Sequence, residues 1–163
     1  MAFYQKWEAY KRGFGSLQTG EFWLGLEKIY QITNSGHYGI DIVLKGRNSL
    51  TGYQYKTITL SYKTFRISNE ADGYRLTING FQNNGHSKFS EQFWFHNGMR
   101  FSTIDRDNDK WGSDCAKIYG KGSGWWYKWC QMVNLNRGSG PSYTKYKYFT
   151  YSKMVLVGKQ NNS

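Results

Sequence analysis

Long hydrophobic runs, proline and cysteine are all scarce in this sequence. Its 163 residues include one proline and two cysteines, and the mean hydropathy is -0.74. No apolar stretch approaches the ~20 residues that a membrane-spanning helix needs, and residues 1–7 lack the apolar core of a signal peptide. The sequence therefore excludes a transmembrane protein and predicts either a cytosolic chain or a trimmed form of a secreted one.

The two cysteines, Cys115 and Cys130, are too few for a structural zinc site, and no histidine lies near them. A local disulfide is the favoured interpretation, and two reduced cysteines in a cytosolic core are the alternative. A disulfide closing a loop of this size would stabilise the fold by roughly 3 kcal/mol. It would also indicate an oxidising compartment.

Acidic residues are few as well. Eleven Asp and Glu stand against 22 Lys and Arg, so the net charge is +11 and favours acidic partners such as anionic glycans or nucleic acid. The basic residues are spread out, and the densest group lies near the C-terminus at Lys145, Lys147, Lys153 and Lys159. Without a basic run or basic helix, nucleic-acid binding has no specific support. A polyanion binder stays open as one function.

Residue arrangements typical of catalytic sites are missing from the sequence. His37, His86 and His96 are scattered and have no obvious Ser or Cys partner, and there is no Gly-rich phosphate loop. The sequence therefore predicts a protein that is not an enzyme. His96 is expected to pack near the base of a loop.

Aromatic residues, in contrast, make up 19% of the protein, which is enough to bury a core and excludes disorder as the main state. A first helix is predicted by aromatic residues at helical spacing, followed by Gly13: Phe3, Trp7, Tyr10 and Phe14. A second helix is expected to open at 19–21 and to carry Phe22, Leu26 and Ile29 on one side.

Downstream, β-rich composition and alternation predict strands at 38–44, 54–60, 64–67, 74–78 and 149–157. Turns are predicted at Asn79-Gly80, Asn84-Gly85 and Asn97-Gly98. From about Phe101 to Pro141 the periodicity fades, which indicates a long structured loop region of the kind that often carries function.

A cluster of acids opens this loop region. Four of the eleven acids fall within ten residues: Asp105, Asp107, Asp109 and Asp114. Such like charges repel unless a hard cation with oxygen ligands neutralises them. An EF-hand is excluded because its sixth position would be Lys110 and its twelfth Ala116. A non-EF calcium loop and a solvated turn, with carboxylates paired to Arg100, Arg106 or Lys110, both stay open.

The same region resembles the fibrinogen C-terminal (fibrinogen-related) domain of ficolins, tachylectins, tenascins and angiopoietins. The resemblance lies in Asn97 to Asp109, Cys115-Ala116, Gly124 to Tyr127, Cys130 and Asn134 to Asn136, and upstream in 3–7, 13–15, 20–29 and 69–76. It implies one truncated domain, 1–163, that lacks the family's first subdomain. Residues 1–100 would form helices and sheet, and 101–145 the calcium and ligand-pocket loops.

The fold expected is therefore α+β: a twisted, mainly antiparallel sheet with short helices and a loop-rich calcium and pocket lobe. The resemblance implies Ca2+ held by the carboxylates of Asp107 and Asp109 and the backbone carbonyls of Trp111 and Ser113, with Asp105 as an outer group. It also implies a Cys115–Cys130 disulfide and a cis peptide bond between Trp129 and Cys130.

The resemblance further implies a ligand pocket beside the calcium loop, formed by Tyr119, Trp129, Cys130, Gln131 and Tyr143. Lectin members of the family bind acetyl groups there, and fibrinogen binds a peptide knob. Tyr119 matches an aromatic wall of the lectin pocket, but Gln131 replaces a histidine that could charge with pH. Tyr143 is expected to replace a lost pocket aromatic, whereas Trp125 and Trp126 are expected in the core.

The function predicted is a secreted, calcium-dependent recognition module of lectin type that binds acetylated glycans, as in innate immunity. One alternative is a globe that binds a protein or receptor and has a degenerate sugar pocket. The other is a polyanion binder driven by the +11 charge. A homo-oligomer is possible through an interface outside the family's usual N-terminal regions.

Overall fold

A computed structural model describes residues 3–47, 54–144 and 149–160. The helices are α1 (Trp7–Arg12), α2 (Leu26–Asn34) and α3 (Cys115–Ile118), with 3-10 turns at Glu70–Asp72 and Phe93–His96. The strands are β1 (Phe14–Ser16), β2 (Glu21–Trp23), β3 (His37–Arg47), β4 (Gln54–Ile67), β5 (Leu76–Gln82), β6 (Val133–Asn134), β7 (Ser142–Tyr143) and β8 (Tyr151–Lys159).

The main sheet has four antiparallel strands in the order β5-β4-β3-β8. One of its faces is apolar because every second residue points inward. Ile40 lies between Tyr62 and Leu156, and Ile42 lies between Leu60 and Met154. Two small antiparallel pairs, β1–β2 and β6–β7, complete the sheets. The architecture confirms the predicted α+β class.

Aromatic rings join the loop region to the sheet. Trp126 is fully buried, and its ring centroid lies 5.1 Å from that of Phe101, 5.2 Å from Trp125 and 6.1 Å from Phe65. Its indole N–H donates to the carbonyl of Tyr74 at 2.8 Å. The prediction that Trp125 and Trp126 belong to the core is confirmed, and one continuous core supports both halves of the protein.

Both predicted helices are shorter than the aromatic pattern indicated. Phe14 begins β1, and Glu21–Trp23 pairs with it as β2, so the second helix begins at Leu26 instead of at 19–21. The reason is a close contact at the base of the hairpin. A Cβ on Gly13 would lie 2.6 Å from the carbonyl oxygen of Leu24, and one on Gly25 would lie 2.7 Å from that of Arg12.

The predicted strands at 54–60 and 64–67 are one strand, β4, and the predicted turn at Asn79-Gly80 is wrong because it lies inside β5. Gly80 has a φ of 75°, and a Cβ there would lie 2.7 Å from the Cβ of Lys63. The side chains of β4 that face the core change here from even-numbered to odd-numbered positions, since Tyr62 and Phe65 are both buried. Gly80 therefore bends the paired strands where a turn was expected.

The predicted closing strand is confirmed as β8, which runs antiparallel to β3 from Tyr151 to Lys159. The polypeptide thus returns from the loop region to the sheet that its first half builds. Within the described residues, no helix is both long and apolar enough to cross a membrane.

Candidate functional site

The acidic loop is anchored on the core by its polar residues. The backbone N–H of Asn108 donates to the Ser102 hydroxyl, and its side-chain amide donates to the carbonyl of Phe101, both at 2.9 Å. Ser102 is fully buried and pairs with Trp125. Asn108, which the sequence reasoning did not single out, therefore fixes the start of the loop.

Asp105 caps helix α1 across the molecule. Its Oδ1 accepts the backbone N–H of Trp7 at 2.9 Å and the Thr103 hydroxyl at 2.7 Å. Partial burial opposes ionisation, but these hydrogen bonds hold the pKa of Asp105 below its ordinary value. The carboxylate is thus committed to the helix N-terminus, where the structure gives it a direct role that the sequence did not predict.

Asp114 has a similar local role at α3. Its Oδ1 accepts the backbone N–H of Lys117 at 3.0 Å, and its Oδ2 lies 3.1 Å from the Lys117 ammonium. Two of the four clustered acids therefore cap helices, and Asp107 and Asp109 are left as the pair available to a cation.

Asp107 and Asp109 are brought together and tied to the disulfide. Asp107 Oδ1 accepts the Asp109 N–H at 3.1 Å, while Asp109 accepts the N–H of Trp111 at 2.8 Å and that of Cys115 at 2.9 Å. Burial, and the adjacent Asp107 carboxylate, raise the pKa of Asp109 to about 6. The neighbouring carboxylates of Asp107 and Asp109 therefore concentrate negative charge in this loop.

The donor chemistry of this loop suits a hard cation. Asp107 and Asp109 supply carboxylate oxygens, and the exposed residues Trp111 and Ser113 supply backbone carbonyls, which are the ligand types that Ca2+ takes. Among the residues that the structure describes, no group of three or more His, Cys, Asp or Glu side chains could hold a metal. Calcium binding here stays a prediction that needs backbone oxygens.

The Cys115–Cys130 disulfide is confirmed, with the two Cα atoms 5.1 Å apart. The predicted cis bond between Trp129 and Cys130 is wrong, because all the described peptide bonds are trans. The backbone turns there in another way: Cys130 has a φ of 61°, and the Lys128 N–H donates to the Cys130 carbonyl at 3.1 Å.

Three large aromatic side chains are exposed around this disulfide. Trp111 is 37% exposed, Tyr119 50% and Trp129 62%, and the rings of Trp111 and Tyr119 lie 5.3 Å apart. The Lys128 ammonium lies 4.9 Å from the Trp129 ring centroid. We call these three side chains the aromatic surface.

The other predicted pocket residues are differently placed. Gln131 is half-buried, and its Oε1 accepts the Asn134 amide at 2.8 Å. Tyr143 is fully buried, and its hydroxyl lies 2.8 Å from that of Tyr62. The structure therefore brings Trp111 and Tyr119 together and places Trp129 beside Cys130, whereas Tyr143 lies in the core.

His96 holds the backbone that follows Cys130. The side chain is fully buried, its Nδ1 lies 2.8 Å from the Trp126 carbonyl, and its Nε2 accepts the N–H groups of Met132 and Val133 at 3.2 and 3.0 Å. Burial lowers the pKa of His96 to about 3. The prediction that His96 packs is confirmed, and its hold on the backbone after Cys130 is a role that the sequence did not reveal.

Two of the four lysines of the basic group near the C-terminus lie in the described part of the protein. Lys153 and Lys159 lie in β8, and Lys145 and Lys147 lie outside the described residues.

Comparisons with known proteins give one consistent family. The family described as fibrinogen beta and gamma chains, C-terminal globular domain, matches residues 1–153. Angiopoietin-related protein 2 of Homo sapiens is 38% identical over 128 residues, which are 78% of this chain and 23% of that protein. The fibrinogen alpha chain of Homo sapiens is 38% identical over 144 residues, 82% of this chain and 16% of that one. The sequence thus spans less than a quarter of the length of these relatives.

Solved structures agree with the sequence comparison. The fibrinogen-like globe domain of human ANGPTL2 is similar with a TM-score of 0.81 and 32% identity, over 97% of this chain and 74% of that one. Lamprey fibrin D-dimer, complexed with the peptide ligand Gly-His-Arg-Pro-amide, is similar with a TM-score of 0.78 and 27% identity, over 100% of this chain and 59% of that one.

Proposed function

Because the protein belongs to the family of C-terminal globular domains found in the beta and gamma chains of fibrinogen, we propose that it is an extracellular recognition domain that binds a protein or peptide segment. The observation that carries the proposal is the aromatic surface. Most of the described Trp residues are buried, yet Trp111 and Trp129 are exposed with Tyr119 beside the disulfide. Trp and Tyr are enriched among the residues that dominate binding energy at interfaces.

A peptide occupant is supported by the properties of the surface and of one relative. The exposed rings offer apolar area, and the Lys128 ammonium near Trp129 adds a cation at the rim. Gln131, in the position of the family's pocket histidine, is engaged with Asn134. The lamprey relative was solved with a peptide ligand. An extracellular site is consistent with the Cys115–Cys130 disulfide.

Selection of peptides from a displayed library tests the proposal. We expect selected peptides to lose affinity at least about tenfold with Trp129→Ala and with Tyr119→Ala, because each change removes one aromatic contact. Trp94→Ala is the matched control, since Trp94 is also exposed at 56% but lies in the 3-10 turn Phe93–His96 and outside the loop that the disulfide closes. Peptides that bind all three variants equally well would contradict the proposal.

We also propose that Ca2+ orders the acidic loop. Asp107, Asp109, Trp111 and Ser113 would hold the ion, whose charge would offset the two adjacent carboxylates. Asp109 accepts the N–H groups of Trp111 and Cys115, so its position is coupled to the aromatic surface. Calcium binding would therefore favour a fixed recognition surface.

Thermal unfolding with calcium and with a chelator tests this part. Calcium at a hundredfold excess over its Kd should stabilise the protein by roughly 2.7 kcal/mol, and Asp107→Asn should remove the shift. Asp114→Asn should keep it, because Asp114 caps α3. Equal melting temperatures of the wild type in calcium and in chelator would refute a structural calcium ion.

Binding of acetylated glycans is a second candidate function. The paired rings of Trp111 and Tyr119, 5.3 Å apart and both exposed, would provide apolar walls for a methyl group and sugar C–H faces. A glycan-binding protein of this kind would act in innate immunity. It should be retained on N-acetylglucosamine resin, and retention should be lost in chelator and with Tyr119→Ala.

The polyanion alternative predicts instead that heparin binding falls steeply as the salt concentration rises.

A further inference from the structure

Three Asn-Gly pairs occur in the sequence: Asn79-Gly80, Asn84-Gly85 and Asn97-Gly98. In such a pair the backbone nitrogen of the glycine can attack the side-chain carbonyl carbon of the asparagine, because glycine has no Cβ to hinder the approach. The local chemistry of the three pairs is the same, but the structure places their reacting groups differently.

At Asn84-Gly85 the two groups are bound to other residues. The side-chain amide of Asn84 donates to the carbonyl of Thr59 and to the Ser61 hydroxyl, both at 2.9 Å. The Gly85 N–H donates to the side chain of a different residue, Oδ1 of Asn83, at 3.1 Å. Both groups must leave these partners before they can react with each other.

The Asn97-Gly98 pair is protected in a similar way. Oδ1 of Asn97 accepts the N–H of Ile78 at 2.9 Å, and the Gly98 N–H donates to the carbonyl of Leu76 at 2.8 Å. These bonds join the 97–99 segment to β5, so the segment would have to open locally before the pair could react.

At Asn79-Gly80, in contrast, the reacting groups of one pair contact each other. Asn79 is exposed, and its Oδ1 accepts the N–H of Gly80 at 2.8 Å. Because Oδ1 is bonded to Cγ, the Gly80 nitrogen lies at most about 4 Å from the carbon that it would attack. Reacting atoms that are already close need little further ordering, which lowers the barrier to their reaction.

The Gly80 N–H also lies on the edge of β5 that faces away from β4. The N–H groups of Leu76 and Ile78 bond on that side to Met99 and Asn97, and alternate residues of a strand direct their N–H groups to the same edge. Gly80 follows Ile78 at this spacing. Attack by its nitrogen therefore leaves the hydrogen bonds between β4 and β5 in place.

We propose that Asn79 is a site of spontaneous conversion to isoaspartate. The Gly80 nitrogen forms a bond to Cγ of Asn79, the bond from Cγ to Nδ2 breaks, and ammonia leaves with the proton of the Gly80 amide. Water then opens the succinimide ring. Attack of water on the main-chain carbonyl carbon of Asn79 breaks its bond to the Gly80 nitrogen and leaves the backbone running through Cβ and Cγ, whereas attack on Cγ gives aspartate.

The conversion changes charge and backbone at one place in the sheet. Either product adds a negative charge beside Lys63, whose Cβ and Cγ lie next to Gly80. Isoaspartate also adds a backbone carbon to β5 at the bend that Gly80 already makes. The site shares no residue with the aromatic surface, so it goes beyond the proposed function and can fail independently of it.

Incubation of the whole folded protein in mildly alkaline buffer, followed by peptide mapping with mass spectrometry, tests the proposal. A converted residue gains the mass difference between a hydroxyl and an amino group, and fragmentation by electron transfer distinguishes isoaspartate from aspartate. We expect Asn79 to be converted at least about tenfold faster than Asn84 and Asn97, because the groups of those two pairs must first leave their hydrogen bonds.

The same protein in denaturant is the control, and there the three pairs should react at similar rates. Asn79 should react in the folded protein at least as fast as in denaturant, while Asn84 and Asn97 should be slowed by folding. Asn79→Gln should remove the first acidic product seen by ion exchange, because the longer side chain places its carbonyl carbon further along, and Asn84→Gln should retain it. Equal rates at the three pairs in the folded protein, or slower reaction of Asn79 in the folded protein than in denaturant, would overturn the proposal.

Discussion

At the scale of single residues, neighbouring aspartates in one short segment perform different tasks. Asp105 caps α1 and Asp114 caps α3, each by accepting a backbone N–H that the helix itself cannot satisfy. Asp107 accepts the backbone N–H of Asp109, and Asp109 accepts that of the disulfide residue Cys115. The cluster is therefore two helix caps around one carboxylate pair, which limits any cation site to the pair and nearby carbonyls.

Replacement of Asp105 tests its role as a cap. Asp105→Ala should lower the free energy of unfolding by about 1 kcal/mol, because the N–H of Trp7 loses its acceptor. In chelator, Asp107→Ala should change it by less than about 0.5 kcal/mol, since its removal relieves repulsion at Asp109. Urea unfolding measures both values. A larger loss for Asp107→Ala than for Asp105→Ala would contradict this division of tasks.

The pH dependence of stability has a contribution from His96. Its folded pKa of about 3 lies below the ordinary value of 6.5, so the unfolded state binds a proton that the folded state does not over this range. Protonation would also turn Nε2 into a donor facing the N–H groups of Met132 and Val133. His96 therefore stabilises the fold fully above pH 6.5, and its contribution falls as the pH drops towards 3.

Comparison with His96→Gln isolates this contribution, because glutamine does not titrate. The wild type should lose its advantage over the variant by up to about 1.4 kcal/mol per pH unit below pH 6.5. Denaturant unfolding at pH 7, 5.5 and 4.5 measures the difference in free energy between the two proteins. A difference that stays constant with pH would argue against a neutral, buried imidazole.

At the scale of secondary structure, local departures from regular geometry decide where elements bend and end. Gly13 and Gly25 let the end of α1 and the start of α2 approach more closely than a Cβ allows. Gly80 permits the bend in β4 and β5, where the positions that face the core change from even to odd numbers in β4. These glycines therefore determine where the β1–β2 hairpin packs and where the main sheet bends.

Gly80→Ala should destabilise the protein by roughly 1–3 kcal/mol, because alanine is disfavoured at a φ of 75° and its Cβ would contact Lys63. Gly85→Ala is a matched control with a φ of 84° and no heavy atom within 4 Å of the added Cβ. Gly85→Ala should lower the free energy of unfolding by less than Gly80→Ala, and the difference should equal the cost of the contact with Lys63. Thermal unfolding compares the variants, and equal losses would rule out a steric role at Gly80.

At the scale of the whole molecule, the sheet and the loop region form one folded unit. Trp126 links them through its ring contacts, and β8 returns the backbone to the sheet after the loop region ends. The Cys115–Cys130 bond closes the part of the loop region that carries Tyr119 and Trp129.

Removal of the disulfide should lower the free energy of unfolding by roughly 3 kcal/mol in the chain-entropy model for a loop of this size. A Cys115→Ala, Cys130→Ala double variant, compared with the wild type by denaturant unfolding, measures the loss. Added reductant is the control and should weaken the wild type without affecting the variant. If the double variant matched the oxidised wild type in stability, the bond would have no structural role.

The alternation and composition of the sequence predicted the positions of β3 and β8, and the cysteine count favoured a local disulfide, whereas the α+β class and the burial of Trp125 and Trp126 were expected together with the family resemblance. Those features depend on side-chain type and spacing, which the sequence states directly. The ends of α1 and α2, the continuity of β4 and the position of Gly80 within β5 depend on contacts between distant segments, such as Gly13 with Leu24 and Gly80 with Lys63.

The candidate site divides in the same way. Residue types after Thr103 were enough to predict a cluster of carboxylates, because these groups keep their charge in any fold, and the resemblance added the expectation of an aromatic pocket beside it. Folding alone decided that Asp105 reaches Trp7 across 98 positions of sequence, that Tyr143 is buried against Tyr62, and that His96 holds Met132 and Val133. A hydrogen bond forms between groups that packing brings within about 3 Å, and no local pattern encodes that distance.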